Sequence, residues 1–435
     1  MNYEETVKYI EEVPKFTKKT TLEHTRKILE ELGNPDQGLK IIHVAGTNGK
    51  GSVCAYLNSM LTEGGYKVGL FTSPHLIRTN ERFMIGGVPV DDDTFCAAFE
   101  RVMEASKRTM ERGESHPTYF EILLLMGLVI FSQEKVDYVV LETGLGGRLD
   151  ATNVITDPLA CIIVSISRDH TEYLGETIPE IAAEKAGIIK AGVPVVYDGR
   201  NQAAAQVIGA KAEELHSPAY VLEESMVELL SNTREGIRFL FNYPGQEPVE
   251  MKIPYVAEYQ MMNASLAYFT MKKLYSHHGI SDEALMRGIM QTKWACRMET
   301  VMEGVIIDGA HNEDGVAQFI KTAVHFRKDN AITILFSAVS DKHYKDMIRE
   351  IVEGIRPDHV VTTQIQGYRE VPAEELAELF RQQGAEQVEA VTQIGPAFDR
   401  ACQLKGEGML FCVGSLYLAG ELKSWIQQHK GDATC

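Results

Sequence analysis

Val44-Ala45-Gly46-Thr47-Asn48-Gly49-Lys50-Gly51-Ser52 decides the fold of this chain. An apolar, β-branched run, Leu39–Val44, leads into it, and a helical pattern, Val53–Glu63, follows. A glycine-rich turn between strand and helix aims backbone N–H groups and the positive helix end at an anion. Glycines let a phosphate approach closely, Lys50 supplies a compact charge, and a nearby hydroxyl such as Ser52 suits Mg²⁺. The general pattern GxxxxGK[ST] is met imperfectly. Its first glycine is missing, and Gly51 separates Lys50 from Ser52. A glycine-rich turn with a surface lysine is the plainer alternative.

Outward from the loop, Tyr66–Phe71 is another short strand-like segment, and Val136–Leu141 and Leu159–Ile166 are near-continuous apolar runs, as in strands covered on both faces. Asp93–Arg112 and Tyr119–Glu134 read as helices between them, and Val193–Tyr197 with Gln202–Leu215 adds a further strand and helix. This alternation predicts a doubly wound parallel sheet. Such sheets bind ligands beyond the carboxyl ends of their strands. Thr72-Ser73-Pro74-His75, Glu142 with Gly144–Asp150, and Ser167-Arg168-Asp169-His170 stand there beside the loop. Glu142 fits a carboxylate that holds Mg²⁺, or a salt-bridged strand-end acid. His170 fits a second metal ligand or a structural histidine, since Mg²⁺ prefers oxygen. Ser73 adds a hydroxyl, and His75 reads as structural. By pattern alone, Lys185 is a helix-end lysine favourable to the helix dipole.

Between about 217 and 254 the pattern becomes an antiparallel meander with turns at Asn232, Gly236 and Pro244-Gly245. Tyr259–Leu274 and Asp282–Gln291 are helical, and a second α/β run begins near Thr300. The domain boundary is expected near Trp294–Glu299.

The 435 residues suit two or three domains. The 43 Lys+Arg against 61 Asp+Glu, a net charge of −18, argue against a sequence-independent nucleic-acid binder. Anionic ligands therefore require local positive charge. The seven cysteines form no CxxC pair and fit free thiols in a reducing compartment. The longest apolar run, Ile122–Phe131, is half a membrane span, and the acidic N-terminus shows no secretory signal. A cytoplasmic protein without membrane or nucleic-acid partners is expected.

The blocks HVAGTNGKGS, TSPHL with NERF, LETGLGGRLDATN, SRDHTEYLG, AAEKAGIIK, IIDGAHN and VGSLYLAGEL, in this order from about residue 20 to 425, closely resemble folylpolyglutamate synthase/dihydrofolate synthase of the Mur-ligase superfamily. The extra Gly51 is that family's own form of the loop. The resemblance implies a larger P-loop parallel-sheet ATPase domain, residues 1–296 with the antiparallel insert, plus a smaller Rossmann-like α/β C-terminal domain, residues 297–435. It implies an amide ligase in which ATP phosphorylates a carboxylate of dihydropteroate or a folate and L-glutamate then attacks. Asn48, Gly49, Lys50, Gly51 and Ser52 would hold the triphosphate, joined by Asn263, Arg297 and Asp308. Ser52, Ser73 and Glu142 would ligate one Mg²⁺ and His170 a second. Lys185 matches the family's carbamylated lysine, a role the pattern alone does not suggest. The Thr21–His24, Tyr119–Glu121 and Leu149–Asn153 segments resemble the pterin side, with Phe120 and Asp150 the preferred residues; His311 and Ser415 are candidates for the glutamate side. Two positions depart from the family: Tyr259 stands where it usually has His, and Ala295-Cys296 where it usually has Pro-Gly. A different Mur-type ligase and a regulatory nucleotide-binding module are the competing readings. A monomer is expected, because two domains can enclose the site without a partner.

Overall fold

Strands that are apolar on both faces need cover on both faces, and the computed structural model supplies it. It describes residues 1–13, 21–233, 235–275, 279–340, 343–365 and 370–429. The chain divides into two compact units. The first holds the N-terminal chain together with Ile237–Pro254 and Gln260–Lys293; the second holds Tyr255–Tyr259 and the chain from Trp294 onward.

The first unit is built on an eight-stranded sheet. Its strands run in the order Val88–Pro89, Phe83–Ile85, Val68–Phe71, Tyr138–Glu142, Ile41–Ala45, Ala160–Ile163, Val195–Asp198, Ala219–Leu222. From Val68–Phe71 onward the pairing is parallel; the first two strands add an antiparallel edge. Val44 pairs with Glu142, and Ala45 with Ile163. That register places the phosphate loop, Glu142 and the 165–170 segment at one end of the sheet. The helix Tyr119–Gln133 is apolar nearly all round and buried from Ile122 to Phe131. It packs into a core with Ile28, Leu29, Phe71, Phe83, Phe95 and Phe99.

The antiparallel insert starts later than the sequence pattern indicates. Ala219–Leu222 pairs in parallel with Val195–Asp198 and closes the large sheet. The intervening helix Gln202–Glu214 is the crossover that parallel pairing requires. The meander is the three-stranded sheet Val227–Thr233, Gly236–Phe241, Val249–Ile253.

The second unit carries a six-stranded sheet in the order Glu299–Met302, Val305–Ile307, Met409–Val413, Ile332–Phe336, His359–Thr362, Val388–Ala390. All pairs are parallel except the first. Phe319, Phe336, Phe380 and Phe411 fill its core. Among the described residues no helix is long and apolar enough to cross a membrane. Cys54, Cys96, Cys161, Cys296 and Cys412 are free thiols. Cys435 lies outside the described residues.

Candidate active site

The phosphate loop is shaped by close approach. A Cβ on Gly46, at φ +146°, would stand 2.1 Å from Val164 Cγ2. Gly49, at φ +94°, is the N-cap of the helix Lys50–Glu63 and faces Asn263, whose Oδ1 would be 2.6 Å from a Cβ there. Among the described residues no side chain caps that helix, which leaves its opening N–H groups to an anion. The loop is pinned to the neighbouring strand's extension: Thr47 N–H donates to Ser165 O (2.8 Å) and Ser165 Oγ to Asn48 O (2.9 Å). Lys50 Nζ folds back onto Gly46 O and Thr47 O, both at 3.2 Å. Lys185 Nζ donates to the same Gly46 carbonyl at 2.8 Å. Gln260 Nε2 donates to Ser52 Oγ (3.2 Å), and Asn263 Nδ2 to Gln260 Oε1 (3.0 Å).

The metal-ligand candidates gather around this loop. Glu142 ends its strand buried, and its Oε2 accepts the Ser73 N–H at 3.1 Å. Ser52 and Ser73 hydroxyls and the Glu142 carboxylate are hard oxygen donors, the set that Mg²⁺ prefers. His170 lies on the 165–170 segment with a left-handed backbone (φ 51°) and a side chain 42% exposed. Its Nε2 is 3.9 Å from Asp169 Oδ2. Lys185 is buried. Burial first, then repulsion from Lys50, lowers its pKa to about 7, against Asp169 and Asp150.

The acceptor-side candidates meet through the loop after Glu142. The Phe120 ring lies against Gly144, where a Cβ would be 2.5 Å from Cζ. Asp150 is buried; its Oδ2 accepts Leu145 N–H (2.8 Å) and its Oδ1 accepts Thr152 N–H (3.0 Å) and Oγ1–H (2.5 Å). Burial raises its pKa against these bonds. Thr21 caps the helix Leu22–Glu31, whose His24 and Thr25 reach Glu121 at 2.9 and 2.7 Å. The Thr21–His24 and Tyr119–Glu121 segments are therefore neighbours.

Both His24 ring nitrogens face acceptors: Nδ1 the Glu121 carboxylate and Nε2 the Ser115 carbonyl at 3.0 Å. The imidazolium is the form that satisfies both. The bond to Glu121 raises the His24 pKa against burial. Burial pushes Glu121 up, but bonds from His24, Thr118 and Thr25 outweigh it and hold the carboxyl at about 2. Glu121's contribution to stability is complete above its ordinary value of 4.5 and is lost as pH falls toward 2. His24's is complete below its ordinary value of 6.5 and is lost as pH rises through its raised value. Stability from the pair should thus peak between those two ordinary values. His24→Ala should cost about 3 kcal/mol there, because Glu121 stays buried without its cation. Urea denaturation across pH would show this; a pH-independent loss would rule out the ion pair.

In the second unit the candidates collect at adjoining strand ends. Asp308 follows Val305–Ile307, accepts N–H bonds from Met298 (2.8 Å) and Ala310 (2.9 Å), and takes the Tyr259 hydroxyl. Burial raises its pKa, against the opposing charge of Arg297 beside it. Ser415 caps Leu416–Gln428 and Asn312 caps Glu313–Arg327. Their strands pair, and Gly414 N–H donates to Ala310 O at 3.1 Å. His311 Nδ1 donates to Gly309 O at 2.8 Å. Both family departures have local consequences. Tyr259 donates to Asp308, and Cys296 takes a left-handed φ of 57° that a glycine adopts without strain.

Residues 44–271 match the Mur ligase middle domain and residues 296–416 the Mur ligase glutamate ligase domain. The chain belongs to the Mur ligase family, in its folylpolyglutamate/dihydrofolate synthase branch. It is 38% identical to the dihydrofolate synthase/folylpolyglutamate synthase of Bacillus subtilis, over 78% of this chain and 80% of that one. It is 35% identical to the folylpolyglutamate synthase of Lacticaseibacillus casei, over 83% and 85%. The structure of E. coli FolC in complex with DHPP and ADP superposes with a TM-score of 0.85 at 27% identity, covering 99% of each chain.

Sequence reasoning missed Gln260 and Ser165. Gln260 bonds Ser52, and Ser165 bonds the phosphate loop, from far away in the chain, so no local pattern marks either contact. Gln260 does stand in the block that supplied Asn263, and that block was its available signal.

Proposed function

We propose that the protein is an ATP-dependent ligase joining L-glutamate to the carboxylate of dihydropteroate, of the terminal glutamate of folates, or of both. One observation carries this reading: a single unit sets a phosphate loop, buried Glu142 beside Ser73, and the Phe120–Gly144–Asp150 cluster around the ends of adjacent strands. A carboxylate is a poor electrophile. Phosphoryl transfer from ATP makes an acyl phosphate, the glutamate amine attacks its carbonyl carbon, and phosphate leaves with the bonding electrons. The protein's tasks are then orientation and charge neutralisation. Loop amides, Lys50 and Ser52 hold the phosphates, with Asn263, Arg297 and Asp308 serving the rest of ATP. Ser52, Ser73 and Glu142 would hold one Mg²⁺ and His170 a second; Mg²⁺, when bound, neutralises phosphate charge. Phe120 and Asp150 take the pteroyl group, and His311 and Ser415 the glutamate. The enzyme is taken as a cytoplasmic monomer.

The test is ATP turnover with glutamate and dihydropteroate, tetrahydrofolate or a muropeptide, with products separated by chain length. Phosphate release that depends on a pteroyl substrate is expected. Release only with the muropeptide would move the protein to another Mur-type ligase, and ATP binding without amide formation would make it a regulatory module.

Lys185 is assigned a carbamate in this reading. Only a neutral amine attacks carbon dioxide, and a pKa of about 7 leaves roughly half of it neutral at that pH. Activity should rise with added bicarbonate and fall below pH 7 as the ammonium form takes over. Lys185→Ala should lose about 10²-fold in turnover. Full activity in that variant, or no added carbon dioxide mass by intact mass spectrometry at high bicarbonate, would remove the assignment.

A further inference from the structure

The strand that feeds the phosphate loop carries a polar side chain with no part in the reading above. His43, in the middle of Ile41–Ala45, is fully buried, in register with Leu141 on one neighbouring strand and Cys161 on the other. Its Nε2 lies 2.9 Å from Thr152 Oγ1, and that hydroxyl lies 2.5 Å from Asp150 Oδ1. The protons along this row can be placed. The Asp150 carboxylate already accepts the backbone N–H groups of Thr152 and Leu145, so it is the acceptor at this end. The single hydroxyl hydrogen of Thr152 therefore goes to Asp150, and a Thr152 lone pair accepts the Nε2–H of His43. Burial, with Lys190 adding to it, lowers the His43 pKa to about 3, so the ring is neutral and Nδ1 carries no hydrogen. Nδ1 is itself buried and, among the described residues, has no hydrogen-bond partner. A leucine here would fill the strand without that penalty. The histidine is explained by what its other nitrogen does.

We infer that His43 is a positioning residue for the acceptor substrate: through Thr152 it orients the Asp150 carboxylate, which ties Leu145 N–H and so holds the Gly144–Leu145 turn against the Phe120 ring. The inference rests on the proposed role of Phe120 and Asp150 in holding the pteroyl group. The row leads from the strand of the phosphate loop to the acceptor loop, and the His43 hydrogen bond goes to Thr152 rather than to a residue proposed for ATP. Its effect should therefore fall on one substrate.

The experiment compares His43→Leu, His43→Gln, Thr152→Val and Asp150→Asn in the full-length enzyme. It measures KM for the pteroyl substrate that is turned over, KM for ATP, and kcat. His43→Leu and Thr152→Val should each raise the pteroyl KM about tenfold, the worth of one hydrogen bond in a charged row, and leave the ATP KM within about twofold. His43→Gln should restore most of the loss, because its amide N–H reaches toward Thr152 from nearly the place of Nε2. Asp150→Asn should raise the pteroyl KM at least as much. ¹⁵N NMR of His43 should show a protonated Nε2 and a bare Nδ1 that does not titrate between about pH 5 and 8. If Asp150→Asn raises the pteroyl KM and the His43 and Thr152 variants do not, the positioning role fails and the pteroyl site stands. If Asp150→Asn changes nothing, the pteroyl reading itself fails. Equal shifts in both KM values, or an Nδ1–H tautomer, would overturn the inference. Should His43→Leu not fold, Thr152→Val and His43→Gln carry the same comparison.

Discussion

Lys50→Ala should lower turnover by about 10³-fold while the protein stays folded. The ammonium is the compact charge at the phosphate loop, and preorganised charge aimed at a transferring phosphoryl group is worth about 10²–10³ in rate. Its present partners are two loop carbonyls, Gly46 O and Thr47 O. Lys185 still donates to Gly46 when Lys50 is removed, and Thr47 keeps its bonds to Ser165 and Ser167. The loop therefore keeps its anchors, and the thermal midpoint should move by no more than a few degrees. Lys50→Arg should rescue little, because a planar fork does not replace a compact point charge at a glycine-lined turn. Phosphate release at saturating substrates, with ADP affinity measured by calorimetry, gives the answer. A variant that keeps more than about a tenth of the turnover would remove Lys50 from phosphoryl transfer.

Glu142→Gln should cost about 10²-fold in turnover at ordinary Mg²⁺ and recover part of it at high Mg²⁺. The amide keeps an oxygen for the Ser73 N–H, so the local backbone has no reason to move. What is lost is the formal charge that pairs with the metal. Without Mg²⁺, the same change should leave stability equal or raise it, since a buried charged carboxylate costs more to desolvate than a neutral amide. Loss of activity joined to a gain in stability is the pattern of a group kept for function. A turnover that is unchanged and shows the same Mg²⁺ dependence would return Glu142 to a structural strand end.

The large sheet was legible because each of its central strands is apolar on both faces and each ends in a polar cluster. Glu142, Ser73 and the 165–170 segment stand beside the loop because parallel register carries strand ends to one edge. The start of the antiparallel insert was misplaced. Ala219–Leu222 has the half-exposed look of a meander strand, and only its pairing with Val195–Asp198 assigns it to the large sheet. The grouping of Tyr255–Tyr259 with the second unit is likewise a matter of contact, invisible in composition.

Lys185 marks the limit most sharply. Read as a sequence, it is an ordinary helix-end lysine, and resemblance alone gave it chemistry. Its burial and its bond to Gly46 come from segments far away in the chain, and Lys50 adds to the burial that depresses its pKa. His43 is similar: the strand pattern counts it as one more interior residue, and its bond to Thr152 is what gives it a tautomer and a direction. The sequence by itself determined the periodicities, the glycine-lined loop and the acid at the strand end, because those follow from local sterics and from which side chains leave water. Only the tertiary structure decided which distant polar groups share a proton or a charge. Burial, which sets the strength of those couplings, belongs to the folded chain and to no single segment of it.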